Sequence, residues 1–257
     1  MTAMLIRVLT AGGGLADATV RAAAHHASRA DHIEVRLLLD VRWLEPLNAD
    51  PEFFATPFTP EEEDPATQTF FQEMDEQLEV YREICSESAA TFTAIRVLGM
   101  PDEAVSRAAR SADLLVLPHP TGASAELRKA IQAAVAAPPV PLLLVAHSET
   151  AHAATVESEG EARGLNGAHV LLGSLLGGKV RRIAVDAGTP AEPFRSLAPL
   201  VVETSNGSAL TDDEVDPEEV YVLLNASRAK GFLGSRALAR RRLSPQRNLL
   251  LVPDHRK

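Results

Sequence analysis

At 257 residues, 46% of them apolar, the chain is long enough to form one large or two small domains with a real core, which excludes a wholly disordered polymer. Its net charge of −10 argues against a general nucleic-acid binder, which needs a cationic surface. The single cysteine, Cys85, excludes an internal disulfide and any multi-cysteine metal site, no apolar run reaches the ~18 residues of a membrane span, and the start MTAMLIRVLT lacks the parts of a secretory signal, so a cytoplasmic protein with no membrane span is expected.

Residues 4–9 (MLIRVL) are short, apolar and β-compatible, and Gly12-Gly13-Gly14 stops them. Residues 15–30 are Ala-rich and free of Gly and Pro, which predicts a helix; residues 33–39 (IEVRLLL) predict a second strand. Strand, glycine loop, helix, strand is the pattern of a βαβ unit with a parallel sheet. Five prolines between residues 42 and 67 forbid a continuous helix there and predict a long polar loop. A helix is then expected over 70–88, and a third strand over 91–98, ended by Gly99. Pro101-Asp102-Glu103 starts a helix, because proline suits its first turn and acids suit its dipole. The all-apolar run 114–117 predicts a buried parallel strand, 125–136 a helix and 140–145 a fifth strand. Residues 1–148 thus read as a five-stranded α/β domain. Residues 149–178 read as a connector with a helix, its length limited by Gly160, Gly164, Gly167 and Gly173.

The second half echoes the first. Residues 111–117 (SADLLVL) align with 217–223 (PEEVYVL), and 142–145 (LLLV) with 249–252 (LLLV). A helix is expected between the strands of both pairs, over about 232–243 in the second. The front ends match more weakly: Leu9-Thr10-Ala11-Gly12 against Val185-Asp186-Ala187-Gly188. On that alignment about 70 residues are missing from the second copy, with 199–203 as a surviving strand. Residues 179–257 are therefore expected to form a truncated repeat with a smaller sheet of its own.

These patterns together resemble the universal stress protein family. Residues 4–9, with the following loop and helix, look like the family's opening strand and helix. Val97-Leu98-Gly99-Met100-Pro101-Asp102-Glu103 looks like its G-x-P-x-E turn. Residues 112–117 (ADLLVL) look like its fourth strand and 139–145 (PVPLLLV) like its closing strand. The resemblance covers residues 4–147, and the second half looks like a degenerate tandem copy. It implies a Rossmann-like sandwich of the adenine nucleotide alpha hydrolase type with strand order 3-2-1-4-5 and association through the last strand. Residues 140–145 and 248–252 are then expected to lie edge to edge and antiparallel, an intramolecular pseudo-dimer, with a homodimer of whole chains left open. Many family members bind ATP or AMP, others none, and most are regarded as stress-responsive regulators.

In an open parallel sheet, ligands bind beyond the carboxyl ends of the strands, where strand order reverses. Here that mouth is bordered by Thr10, Gly12, Gly13, Val41 and the 118–124 loop with Gly122. ATP-binding members carry an acid after the first strand and G-x2-G-x9-G-S/T after the fourth. This sequence departs from both, with Thr10 at the first position and Pro118-His119-Pro120-Thr121-Gly122-Ala123-Ser124 at the second. That loop contains no cation, and residues 1–150 net −11, which disfavours a polyphosphate. The second half keeps complementary fragments: Asp186 in place of the acid, and Gly231, Gly234, Ser235 and Arg236 in a glycine-rich stretch where residues 227–257 net +8. The eight histidines show no metal-ligand spacing, and adjacent His25 and His26 diverge on a helix. Nothing around Ser86 or Ser88 has the context of a nucleophile. The expected function is a non-enzymatic stress-response regulator with an eroded nucleotide site and at most weakly bound ATP or AMP. The alternatives are a true ATP/AMP-binding protein with at most slow hydrolysis, and a soluble regulatory partner of a membrane transporter.

Overall fold

The computed structural model describes residues 3–40, 65–146, 153–158, 165–186, 189–204, 219–226, 239, 242–243 and 247–253. The first half runs β1 (Leu5–Thr10), α1 (Ala16–His26), β2 (His32–Asp40), α2 (Pro65–Ser86), β3 (Thr91–Gly99), α3 (Pro101–Ala109), β4 (Leu114–Pro118), α4 (Ala125–Ala136) and β5 (Leu142–Val145). The second runs β6 (Ala153–Ser158), α5 (Leu165–Leu176), β7 (Arg182–Asp186), β8 (Leu200–Thr204), β9 (Glu219–Ala226) and β10 (Leu249–Pro253). All ten strands form one sheet, ordered β3-β2-β1-β4-β5-β10-β9-β6-β7-β8. The first five have the expected 3-2-1-4-5 order and pair in parallel.

The sequence expectation needs three corrections in the second half. Residues 149–178 contain strand β6 as well as helix α5. Its residues, AATVES, have no aliphatic run, so no strand was expected there; parallel neighbours on both sides, β7 and β9, hold it in the sheet. The strands make no smaller sheet of their own but continue the first half's sheet. The third correction is to the alignment. Ile6 pairs with Ile33 and Leu114, and Leu115 with Leu142. Ala154 pairs with Ile183 and Val220, and Tyr221 with Leu249. The two registers coincide: β6 to β10 pair among themselves in the same order and register as β1 to β5. Val185 and Asp186 belong to the second strand of their half, not the first. The residue matching Thr10 is Ser158, the last of β6. Strands two and three of the second half are thus present as β7 and β8. Where the first half has the 22-residue helix α2, the described residues of the second hold the short 3-10 turn Glu192–Phe194. Phe194, Leu197 and Ala198 are buried there against the same sheet face that α2 covers in the first half.

The halves meet at β5 and β10, which lie edge to edge and antiparallel as expected for 140–145 and 248–252. Leu144 faces Leu249, Leu143 faces Leu250 and Leu142 faces Leu251. Because Leu142 and Leu249 hold matching positions, this register is its own image across a local two-fold between Leu143 and Leu250. One apolar core lies on each face of the sheet, under α1, α2 and α5 on one side and α3 and α4 on the other, and both contain residues of both halves. Polar contacts lock the seam. The Asn248 Oδ1 accepts the Ala146 N–H at 2.8 Å, and the Arg242 guanidinium donates to the Val135 carbonyl. Where α1 and α5 end, each receives a donor from the other half: the His26 Nδ1–H reaches the Leu175 carbonyl at 2.9 Å, and the Lys179 ammonium reaches the His25 carbonyl. Such donors satisfy carbonyls that a helix end leaves open.

Candidate functional site

Strand order reverses between β1 and β4, so the carboxyl ends of those strands frame the mouth. Thr10 closes β1 and is fully buried. Its hydroxyl oxygen accepts the Gly12 N–H at 3.3 Å. Below it lies Tyr81 of α2, also fully buried; burial pushes its phenol well above the ordinary range. Thr10 therefore belongs to the core beneath the mouth rather than to its surface. Gly12 and Gly13 turn the chain away with φ of 75° and 88°, the left-handed region that favours glycine, and the space beside them is open. The Gly13 carbonyl accepts the Ala16 N–H at 2.9 Å as α1 begins. Asp40 ends β2 and is buried. Val41 lies outside the described residues, as do Gly231, Gly234, Ser235 and Arg236.

On the β4 side the chain folds onto itself. Pro118 ends the strand, and Pro120–Gly122 form a 3-10 turn that includes the expected Gly122. The His119 N–H donates to the Val145 carbonyl at 2.8 Å. The His119 Nδ1 accepts from the Thr121 hydroxyl at 2.9 Å and from the Thr121 N–H at 3.4 Å. Two donors on one ring nitrogen assign the proton to Nε2. The Ala123 N–H donates to the Pro120 carbonyl, and Pro118 and Pro120 have no N–H at all. The N–H groups of residues 119, 121 and 123 are thus all engaged within the protein. The Ser124 hydroxyl oxygen caps α4 by accepting the Leu127 N–H at 3.3 Å.

One expectation about this loop changes. Residues 118–124 contain no Lys or Arg, yet Arg128 folds back from the first turn of α4. Its Nε donates to the Pro120 carbonyl at 3.1 Å and its Nη2 to the Ala123 carbonyl at 3.3 Å. The signal was in the sequence: Arg128 stands four residues after the capping Ser124, one helical turn on. Tyr81 gave no such signal, because nothing in a helical periodicity tells which buried residue reaches a strand end. Asp186 is not brought to this mouth; it ends β7 in the second half, where Ser158, the end of β6, pairs with Leu224 near the end of β9 at the reversal.

A cleft of about 310 Å³ opens elsewhere, beside the last turns of α1, against Glu87, Leu143 and Asn248. Cys85 is buried and its thiol pushed up to about 11, so it is chemically quiet. Among the described residues no three His, Cys, Asp or Glu side chains stand together to hold a metal ion, and no helix is long and apolar enough to cross a membrane.

No family model matches the chain, and no curated protein does. Among solved structures it is similar to hypothetical protein MJ0577, described as a structure-based assignment of biochemical function and a test case of structural genomics. The likeness has 14% identity and a TM-score of 0.42, covering 55% of this chain and 94% of that one.

Proposed function

We propose that the chain is a non-enzymatic regulator of the universal stress protein type, in which two repeats make an intramolecular pseudo-dimer and the first-half nucleotide mouth no longer holds ATP. The carrying observation is the fate of the loop's backbone donors. A phosphate cradle needs N–H groups turned outward around glycines. In the loop after β4, the N–H groups of His119, Thr121 and Ala123 turn inward, and two prolines supply none. The Arg128 guanidinium is spent on two loop carbonyls, and Thr10, in the place of the family's acid, is buried. The pseudo-dimer reading is supported by the coincident strand registers and the self-matching β5–β10 pairing. Repeats are then 1–148 and a second that includes β6, rather than one starting at 179.

A second reading has support of its own. Beyond β9 the chain carries Gly231, Gly234, Ser235 and Arg236 within a stretch of net charge +8, and β9 passes Ser158 at Leu224, two residues before its end, at the second reversal point. That is where an ATP or AMP phosphate would bind if this chain binds one. Calorimetric titration of the full chain with ATP and Mg²⁺ tests both readings. The expected result is no saturable binding tighter than about 1 mM, roughly −4 kcal/mol, and no nucleotide absorbance or mass carried through purification. Micromolar binding abolished by Ser235→Ala with Arg236→Ala establishes the second reading. Micromolar binding untouched by that pair defeats the first-half argument.

A further inference from the structure

Among the described residues the outer edge of β3 is unprotected. Its nine residues run beside β2 in unbroken parallel register, and among the described residues nothing pairs with the other side. Natural edges are blunted by shortness, proline, lysine or a bulge. The opposite edge obeys this: β8 has five residues, follows Pro199 and carries Glu203. By contrast, β3 has no proline, no lysine and no register shift. Its one charge is drawn inward: the Arg96 Nε lies 3.4 Å from Asp75 Oδ1 of α2, with the guanidinium 5.3 Å from the Phe71 ring centre. Two large apolar side chains stand exposed on it, Ile95 at 43% and Leu98 at 52%, on opposite faces by strand alternation.

We propose that this edge pairs with β3 of a second copy of the chain, antiparallel and centred on Ile95. Directly opposite residues then share a face. Ile95 meets Ile95, Thr93 meets Val97, Leu98 covers the half-buried Phe92, and Arg96 lies opposite Ala94. Both exposed apolar side chains gain apolar partners, and no charge faces its like. Each Arg96 keeps its own Asp75, so the four charges at the joint cancel. Neighbouring registers do worse. Centring on Arg96 sets two guanidinium groups directly opposite, and centring on Ala94 shifts Leu98 opposite Ala90, beyond the strand. The edge is roughly 30 Å long and, with α2 above and α3 below, about 25 Å deep, close to the ~800 Å² per partner of a stable dimer.

Light scattering on the full chain at about 50 μM tests this, with an expected mass of twice 27.5 kDa. Ile95→Lys places two ammonium groups against each other and should halve the mass with an unchanged circular dichroism spectrum. Val170→Lys, at another exposed apolar side chain, should leave it doubled. Ile95→Cys should cross-link to a disulfide dimer on oxidation, since opposite Cα atoms lie about 4.5–5.5 Å apart in such a pair. Cys85, being buried, should not compete. Val97→Cys, opposite Thr93, should not cross-link. The cross-link decides the matter should Ile95→Lys fail to fold. A single-chain mass for the wild type, an open-ended polymer of β3 on β8, a doubled mass that survives a folded Ile95→Lys, or cross-linking at 97 in preference to 95 each overturns the proposal.

Discussion

Replacing Leu143 with alanine is expected to lower the unfolding midpoint by roughly 6–12 °C, in one transition that involves the whole chain. Leu143 is 2% exposed and faces Leu250 at the local two-fold. Truncating a buried leucine leaves a cavity and costs about 2–5 kcal/mol. Taking about 3 kcal/mol, and about 2–4 °C for each in a chain of this size, gives that range. The single transition follows from the cores. Ile6, Leu143, Ala154 and Val222 belong to one cluster, and Leu117, Ile131, Leu223 and Leu251 to the other, so neither half owns a face of the sheet. Val170→Ala, at a side chain 61% exposed, should change stability by no more than about 0.5 kcal/mol. Differential scanning calorimetry checks this. Two resolved transitions, only one of them moved by Leu143→Ala, would mean that the seam does not couple the halves.

The first half was legible because its strands are aliphatic runs, as in β4 and β5, or apolar alternations, as in β2 and β3, and because glycine or proline marks the end of β1, β3 and β4. Burial on both faces demands such runs at 114–117 and 142–145, and they stand out against polar surroundings. The seam was legible for the same reason: 249–252 repeats 142–145 letter for letter, and an apolar edge needs a partner. β6 was not legible. Thr155, Glu157 and Ser158 dilute its pattern, and its place comes from two neighbouring strands rather than from its own residues. Missing it moved the whole front-end alignment by one strand, which put Asp186 where Ser158 belongs. The strand ends were legible as positions: Thr10 closes β1, Gly12 and Gly13 turn the chain after it, and Gly122 lies in the turn after β4. The chemistry of the mouth was not, because hydrogen bonds such as Thr121 to His119 and Arg128 to Pro120 depend on side-chain directions that spacing alone does not give.

Stability should fall by about 3 kcal/mol as pH drops from 7 to below 4 through one side chain alone, His26. The ring is buried between the ends of α1 and α5. Its Nδ1–H is committed to the Leu175 carbonyl, which favours the charged form. Burial outweighs that contact, and the neighbouring Lys179 and His25 add to it, so the pKa is pushed from 6.5 down to about 4. Burial also lowers the Lys179 ammonium, with Asp31 opposing. In the unfolded chain His26 takes up its proton near pH 6.5; in the folded protein it does so only near 4. The unfolded state therefore binds more protons throughout that window. His26 contributes fully above pH 6.5, and its contribution is lost progressively as pH falls towards 4. His26→Leu places at the end of α1 the residue type that ends α5, Leu176, and removes the titrating group. Losing the bond to Leu175 should cost about 1–3 kcal/mol at pH 7. The variant should then lose about 3 kcal/mol less than the wild type between pH 7 and 4, because all other titrations are common to both. Urea unfolding at pH 7, 6, 5 and 4 reads this difference directly. Parallel stability curves for the two proteins would show that His26 is not held neutral at the joint.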